Sequence, residues 1–100
     1  MPFPGHATPE GTARYQARMR GVAAEGHFRD FQGLKISSIG LGTYLGHHDA
    51  QTDTQYREAI MRAIECGCNV IDTAINYRFQ RSERVVGEAL ATLFQQGPLQ

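Results

Sequence analysis

A chain of 100 residues, 41% of them hydrophobic, has room for one packed core and little stability to spare. Its ten basic and ten acidic side chains cancel, which excludes both the basic stripe of a nucleic-acid binder and the charge block of a solvated tail. No apolar run is long enough to cross a bilayer, and the opening Met1-Pro2-Phe3-Pro4-Gly5 lacks the basic and apolar regions of a secretory signal, so a soluble cytoplasmic protein with no membrane or nucleic-acid partner is expected.

The Pro- and Gly-rich first residues predict a loose opening. Thr8-Pro9 then reads as a helix start, with Thr8 at the N-cap and Pro9 at the first helical position. Over residues 12–22, Tyr15, Met19 and Val22 recur at helical spacing, and Gly26 supplies a stop. Residues 27–31 and 34–38 flank Gln32-Gly33 and predict a hairpin. Ile39-Gly40-Leu41-Gly42 reads as a short buried strand, followed by a loop over residues 43–53.

Thr52, with Gln55 three residues on, has the pattern of a capping box. The helix it predicts buries Tyr56, Ala59, Ile60, Ala63 and Ile64, pairs Glu58 with Arg62 on the wet side and ends at Gly67. Asn69-Val70-Ile71-Asp72 suits a parallel strand buried on both faces. After a loop over residues 73–81, Ser82 reads as the cap of a last helix with the stripe Val85, Val86, Ala89, Leu90, Leu93 and Phe94, broken by Gly97-Pro98. Helix, hairpin, then strand-helix-strand-helix implies an α/β fold with parallel strands joined by crossovers.

In such folds ligands gather at the carboxyl ends of the strands. Gly42, Thr43 and Tyr44 stand at the end of one strand, Asp72 at the end of the next, and Tyr77 five residues later. Taken by themselves, Asp72 and Tyr77 are better explained as an Asp capping its own turn and a Tyr packing its ring with the hydroxyl wet. Gly40 and Gly42 make no dinucleotide fingerprint, since a third glycine and an immediate helix are lacking. Cys66 and Cys68 are too close for an unstrained disulfide and have no further Cys to complete a zinc site, so they read as small buried groups. His47 and His48 read as solvated loop residues, with Asp49 the only local third ligand for a metal. Arg78 and Arg81 read as surface charge near Glu83.

A longer string decides between these readings. Gly-Cys-Asn-Val-Ile-Asp-Thr-Ala-Ile-Asn-Tyr at residues 67–77, then Arg-Ser-Glu at 81–83 and Gly-Glu-Ala-Leu at 87–90, resembles the aldo-keto reductase pattern of a helix end, an Asp-Thr-Ala strand end, a Tyr and a Ser-Glu helix start. Upstream, Ile-Gly-Leu-Gly-Thr-Tyr at 39–44 resembles that family's first barrel strand and nicotinamide-side loop. The preceding hairpin resembles the one that plugs the barrel's bottom. Ala-Thr-Pro-Glu-Gly-Thr-Ala-Arg-Tyr at 7–15 is similar to a bacterial branch. The resemblance is strongest over residues 33–90. It departs where many bacterial members have glycines after the Tyr: here those places hold Arg78 and Gln80, and the bulkier loop should change substrate access.

The resemblance implies the N-terminal part of a (β/α)8 TIM barrel, with residues 1–26 as an N-terminal extension carrying a short helix and residues 27–100 as the hairpin plus the first two βα units. It implies reduction of an aldehyde or ketone, a small carbonyl substrate, with NADP(H) or NAD(H). Tyr77 would be the general acid, assisted by Asp72 and by a Lys, with a His orienting the substrate. Gly42, Thr43, Tyr44 and Asp72 would stand at the nicotinamide side, and no metal is implied. A phenol ordinarily loses its proton near pH 10, which is why a cation is needed beside it. The single lysine, Lys35, lies in the hairpin, and none follows Tyr77. A whole barrel typically takes roughly 250 residues. The expectation is therefore a fragment or truncated product that partners the rest of a barrel and is inactive alone. The competing expectations are a non-catalytic α/β interaction module and, less well supported, a Cys-x-Cys redox or metal protein.

Overall fold

The computed structural model of the chain describes residues 6–96. The Pro- and Gly-rich opening and the Gly97-Pro98 stop lie outside the described residues.

Helix α1, Pro9–Arg18, begins as its sequence predicts: Pro9 holds the first helical position and Thr8 Oγ1 accepts the Gly11 N–H at 2.9 Å. It ends earlier than the apolar spacing predicts. The chain tightens through Met19 N–H on the Gln16 carbonyl (3.1 Å) and turns at Gly21, whose φ of +83° is left-handed. Val22 therefore leaves the apolar face and is 64% exposed.

Strands β1, Phe28–Phe31, and β2, Leu34–Ser37, form the antiparallel hairpin. Gln32 (φ +52°) and Gly33 (φ +84°) make its two-residue turn, both at the positive φ that matches the twist of the flanking strands. Ser37 and Asn69 tie the hairpin to the strand that follows the second helix. The Ser37 N–H donates to Asn69 Oδ1 (2.8 Å), and the Asn69 N–H donates to Ser37 Oγ (3.0 Å).

Strand β3, Gly40–Gly42, helix α2, Ala50–Glu65, strand β4, Val70–Asp72, and helix α3, Arg81–Gln96, complete the order. β3 and β4 are parallel, with Gly40, Leu41 and Gly42 opposite Val70, Ile71 and Asp72. Space is tight at Gly40: a Cβ there would stand 3.1 Å from Val70 Cγ1. Neither strand is buried on both faces among the described residues, contrary to the apolar reading. Leu41, Val70 and Ile71 are half-buried, and Ile39 is 65% exposed.

Helix α2 is capped by Asp49, not Thr52: Asp49 accepts the Thr52 N–H at 2.8 Å, so the helix starts one turn before the Thr-x-x-Gln pattern. It closes as expected at Gly67 (φ +107°). There the Gly67 N–H bonds the Ile64 carbonyl (3.2 Å) and the Cys68 N–H bonds the Ala63 carbonyl (2.9 Å), the paired bonds of a Schellman end. Ala59 is exposed, and the expected Glu58–Arg62 pair does not form.

Ser82 lies inside α3 and does not cap it, because its hydroxyl is drawn to the Thr43 carbonyl. Ile60 and Ile64 of α2 pack with Val85, Ala89 and Leu93 of α3, and Tyr15 of α1 joins the same cluster; Phe94, expected in it, is 38% exposed. Burying a side chain such as Ile60 or Leu93 contributes about 1.5–3 kcal/mol. The result is a mixed α/β unit, of the class that the order of its elements predicts. No helix among the described residues is long and apolar enough to cross a membrane.

Candidate functional site at the carboxyl ends of two parallel strands

The register of β3 and β4 puts Gly42 opposite Asp72, so both strands end on the same rim. Thr43 locks that rim. Its N–H and its Oγ1 both donate to the Asp72 carbonyl, at 3.1 and 2.8 Å, and its own carbonyl accepts from Ser82 Oγ at 2.5 Å. Thr43 is fully buried as a consequence. The Asp72 side chain is exposed, and among the described residues its carboxylate has no ion-pair partner. Thr73 Oγ1, the next side chain along, is buried without a hydrogen-bond partner.

Beyond the rim the chain brings two aromatic rings together. Tyr44, 64% exposed, meets the half-buried Tyr77 edge-on, with centroids 5.0 Å apart and planes at 77°. No hydrogen bond joins the Asp72 carboxylate to the Tyr77 hydroxyl. Gly42 faces open space: a Cβ there would meet nothing within 4 Å.

Arg78, Phe79 and Gln80 follow Tyr77 with φ of +52°, +54° and +69°. Left-handed backbone costs a non-glycine residue roughly 1–2 kcal/mol. This explains why glycine suits residues 78 and 80 in the pattern that the sequence resembles, and it means that something here must offset the cost.

Arg78 is not surface charge. Its side chain is 1% exposed and its guanidinium is held on every side. Nε donates to the His47 carbonyl (2.9 Å), Nη2 to Asp53 Oδ1 (2.5 Å) and Nη1 weakly to Ser82 Oγ (3.5 Å), while the guanidinium carbon stands 4.9 Å from the centre of the Tyr56 ring. Arg81 Nη1 takes the other oxygen of Asp53 at 2.6 Å. Both arginines thus pair with Asp53 rather than with Glu83. The Tyr56 hydroxyl donates to the Leu45 carbonyl.

Asp53, Tyr56 and Ser82 were not legible as parts of this region. The available signal was the pair of bulky residues, Arg78 and Gln80, standing where glycine fits best. His47 and His48 are exposed, the latter with its ring 4.5 Å from that of Phe79, and no group of three metal-ligating side chains occurs among the described residues. Cys66 corrects the expectation of two buried thiols: it caps α2 on the outside and is exposed, while Cys68 is half-buried with Sγ on the Ile39 carbonyl at 3.3 Å.

Residues 38–98 match the sequence profile of the aldo/keto reductase family. The NADH-specific methylglyoxal reductase of Escherichia coli (strain K12) is 40% identical over 65 residues, which are 60% of this chain and 20% of that protein. The aldo-keto reductase YhdN of Bacillus subtilis is 39% identical over 64 residues, 58% of this chain and 18% of that protein. An uncharacterized oxidoreductase of Mycobacterium tuberculosis is 36% identical over 70 residues, 63% and 22% respectively. The chain spans about a fifth of the length of these curated relatives. No solved structure gives a significant match.

Proposed function

The chain belongs to the aldo/keto reductase family, and from that premise we propose that its two βα units open a (β/α)8 barrel that reduces a small aldehyde or ketone with NAD(P)H. What supports the reading is the conjunction at one rim of Gly42 opposite Asp72 and, just beyond, Tyr44 against Tyr77. The residues present fit a nicotinamide nucleotide: an exposed aromatic ring at Tyr44, a Cβ-free opening at Gly42, and the unspent polar groups of Asp72 and Thr73. When bound, that cofactor supplies the hydride.

In this reading Tyr77 gives a proton to the carbonyl oxygen as negative charge develops there. Asp72 holds the cation that such a phenol needs, an ammonium group contributed by a later strand, since a general acid works best with a pKa near the operating pH. Tyr44 lines the nicotinamide side. Thr43, its hydroxyl already spent on the Asp72 carbonyl, acts from behind by fixing the two strand ends. The name of the E. coli relative specifies NADH and methylglyoxal, which makes NADH and a short 2-oxoaldehyde the first pair to try.

The test uses the complete protein. Wild type should oxidise NADH or NADPH in the presence of methylglyoxal, and Tyr77→Phe should lower kcat by roughly 100-fold or more while nucleotide affinity stays near wild type. Unchanged turnover in Tyr77→Phe removes Tyr77 as the acid.

A further inference from the structure

We propose that Arg78 is a positioning residue: its buried guanidinium clamps the loop after β3 to the turn after β4 and so sets where Tyr77 stands against Tyr44. This rests on the reading of Tyr77 as the acid.

The argument begins with the tie points. Arg78 is adjacent to Tyr77 in the chain, and Leu45 is adjacent to Tyr44. Both neighbours end on the same ring: Tyr56 lies under the guanidinium of Arg78 and donates its hydroxyl to the carbonyl of Leu45. Two residues further along the loop, the His47 carbonyl accepts Arg78 Nε. Each ring of the Tyr44–Tyr77 contact is therefore one residue from an anchor, and the anchors converge on one side chain of α2.

Charge makes the clamp stiff. A buried guanidinium must have its donors satisfied, and its planar fork fixes direction as well as distance. Asp53 supplies the counter-charge and is itself held by Arg81 from the first turn of α3. The cluster thus joins the β3 loop, the start of α2, the turn after β4 and the start of α3. The left-handed φ of three successive non-glycine residues is the strain that this arrangement sustains.

The test is made in the complete protein with Arg78→Gly, which removes the guanidinium and relieves the left-handed backbone, and Arg78→Lys, which keeps the charge without the fork. Two readouts are taken. One is kcat and KM with methylglyoxal beside nucleotide affinity. The other is the ring-proton NOE between Tyr44 and Tyr77 in protein with labelled tyrosine, with a Tyr15–Ile64 NOE as the control for an intact core. Both variants should lose the Tyr44–Tyr77 NOE, keep the control and lower kcat on the order of 10- to 100-fold, as a small misplacement of a reacting group does, with nucleotide affinity changed by less than kcat. Wild-type kcat with the NOE intact in either variant overturns the proposal. Should wild type reduce no carbonyl compound, the functional reading falls, and the NOE alone decides the clamp. Should Arg78→Gly lose the control NOE, Asp53→Asn, which keeps the shape and removes the counter-charge, is judged by the same two outcomes.

Discussion

Thr43 directs both its N–H and its hydroxyl at one acceptor, the carbonyl of Asp72, at 3.1 and 2.8 Å. The ends of β3 and β4 are thereby fixed as one piece, and Ser82 joins that piece to α3 through the Thr43 carbonyl. The two side chains should differ in worth. Thr43→Val keeps the N–H bond and the volume, and so loses one ordinary hydrogen bond, about 0.5–1.5 kcal/mol. Ser82→Ala leaves a buried carbonyl without its donor, about 1–3 kcal/mol. Denaturant unfolding should rank Ser82→Ala below Thr43→Val. The double variant should lose less than the sum, because both bonds hold the same residue, Thr43. Equal costs and strict additivity would show that the rim is not a single unit.

Gly42 separates structural from functional need. A Cβ at this position meets nothing within 4 Å, so Gly42→Ala should leave the melting temperature of the complete protein within about 2 °C of wild type. If the nicotinamide nucleotide approaches the backbone there, the same methyl group should weaken NAD(P)H binding by about tenfold, an effect of roughly 1.4 kcal/mol. Nucleotide fluorescence titration measures it. Binding equal to wild type would move the cofactor away from Gly42. Gly40→Ala is the control with the opposite expectation: its Cβ would press on Val70 Cγ1 at 3.1 Å and should reduce stability.

The parts of the molecule that were legible in sequence are those decided by neighbours in the chain. Thr8-Pro9 fixes the start of α1, Gly67 the end of α2, and Gln32-Gly33 the hairpin turn, each through local backbone chemistry. Apolar spacing found the faces of α2 and α3 that carry Ile60, Ile64, Val85, Ala89 and Leu93. What misled was competition between equivalent local solutions. Asp49 and Thr52 are both good caps three residues apart, and Asp49 holds the N-cap, accepting the Thr52 N–H. Arg78 was illegible for a different reason. Its partners His47 and Asp53 lie 31 and 25 residues away, and an arginine in a loop ordinarily belongs at the surface. Of the candidate site, the sequence pattern singled out Gly42, Thr43, Tyr44, Asp72 and Tyr77. The cluster that binds their loops together needed the tertiary contacts.

The cap of α2 makes an acid-side prediction. The Thr52 N–H, donating at 2.8 Å, is the main cause holding the Asp49 carboxyl below the usual carboxylate range, with the Thr52 side chain next. A carboxyl depressed in the folded state contributes stability that is fully present above its unfolded value, about pH 4, and that is lost as pH falls through the lower folded value. Asp49→Asn still offers an oxygen to Thr52 but cannot titrate. The difference in urea midpoint between wild type and Asp49→Asn should therefore be constant from about pH 7 to pH 5 and shrink below about pH 4. A constant difference down to about pH 2 would show that Asp49 does not carry the cap.

Tyr15 makes the alkaline counterpart. Burial, the largest cause, and then the Cys68 thiol push its phenol up to about 12. Its hydroxyl donates to the Ile64 carbonyl and, at 3.3 Å, to that of Cys68, contacts that a phenolate could not make. The folded value lies above the ordinary one near 10, so between these limits the unfolded chain gives up a proton that the folded chain keeps. Stability should be unaffected by this group below about pH 10, fall as pH rises from about 10 to about 12, and level off beyond. Tyr15→Phe retains the edge contact with Phe28, at 5.8 Å between centroids, and the Ile64 carbonyl still accepts the Gly67 N–H at 3.2 Å. Its cost at neutral pH should therefore be that of an ordinary hydrogen bond, about 0.5–1.5 kcal/mol. Subtracting the Tyr15→Phe curve from wild type removes the other tyrosines from the comparison. A difference that stays flat across the alkaline range would mean that the hydroxyl reaches water in the folded chain, and that α1 is not fastened to the end of α2 through this contact.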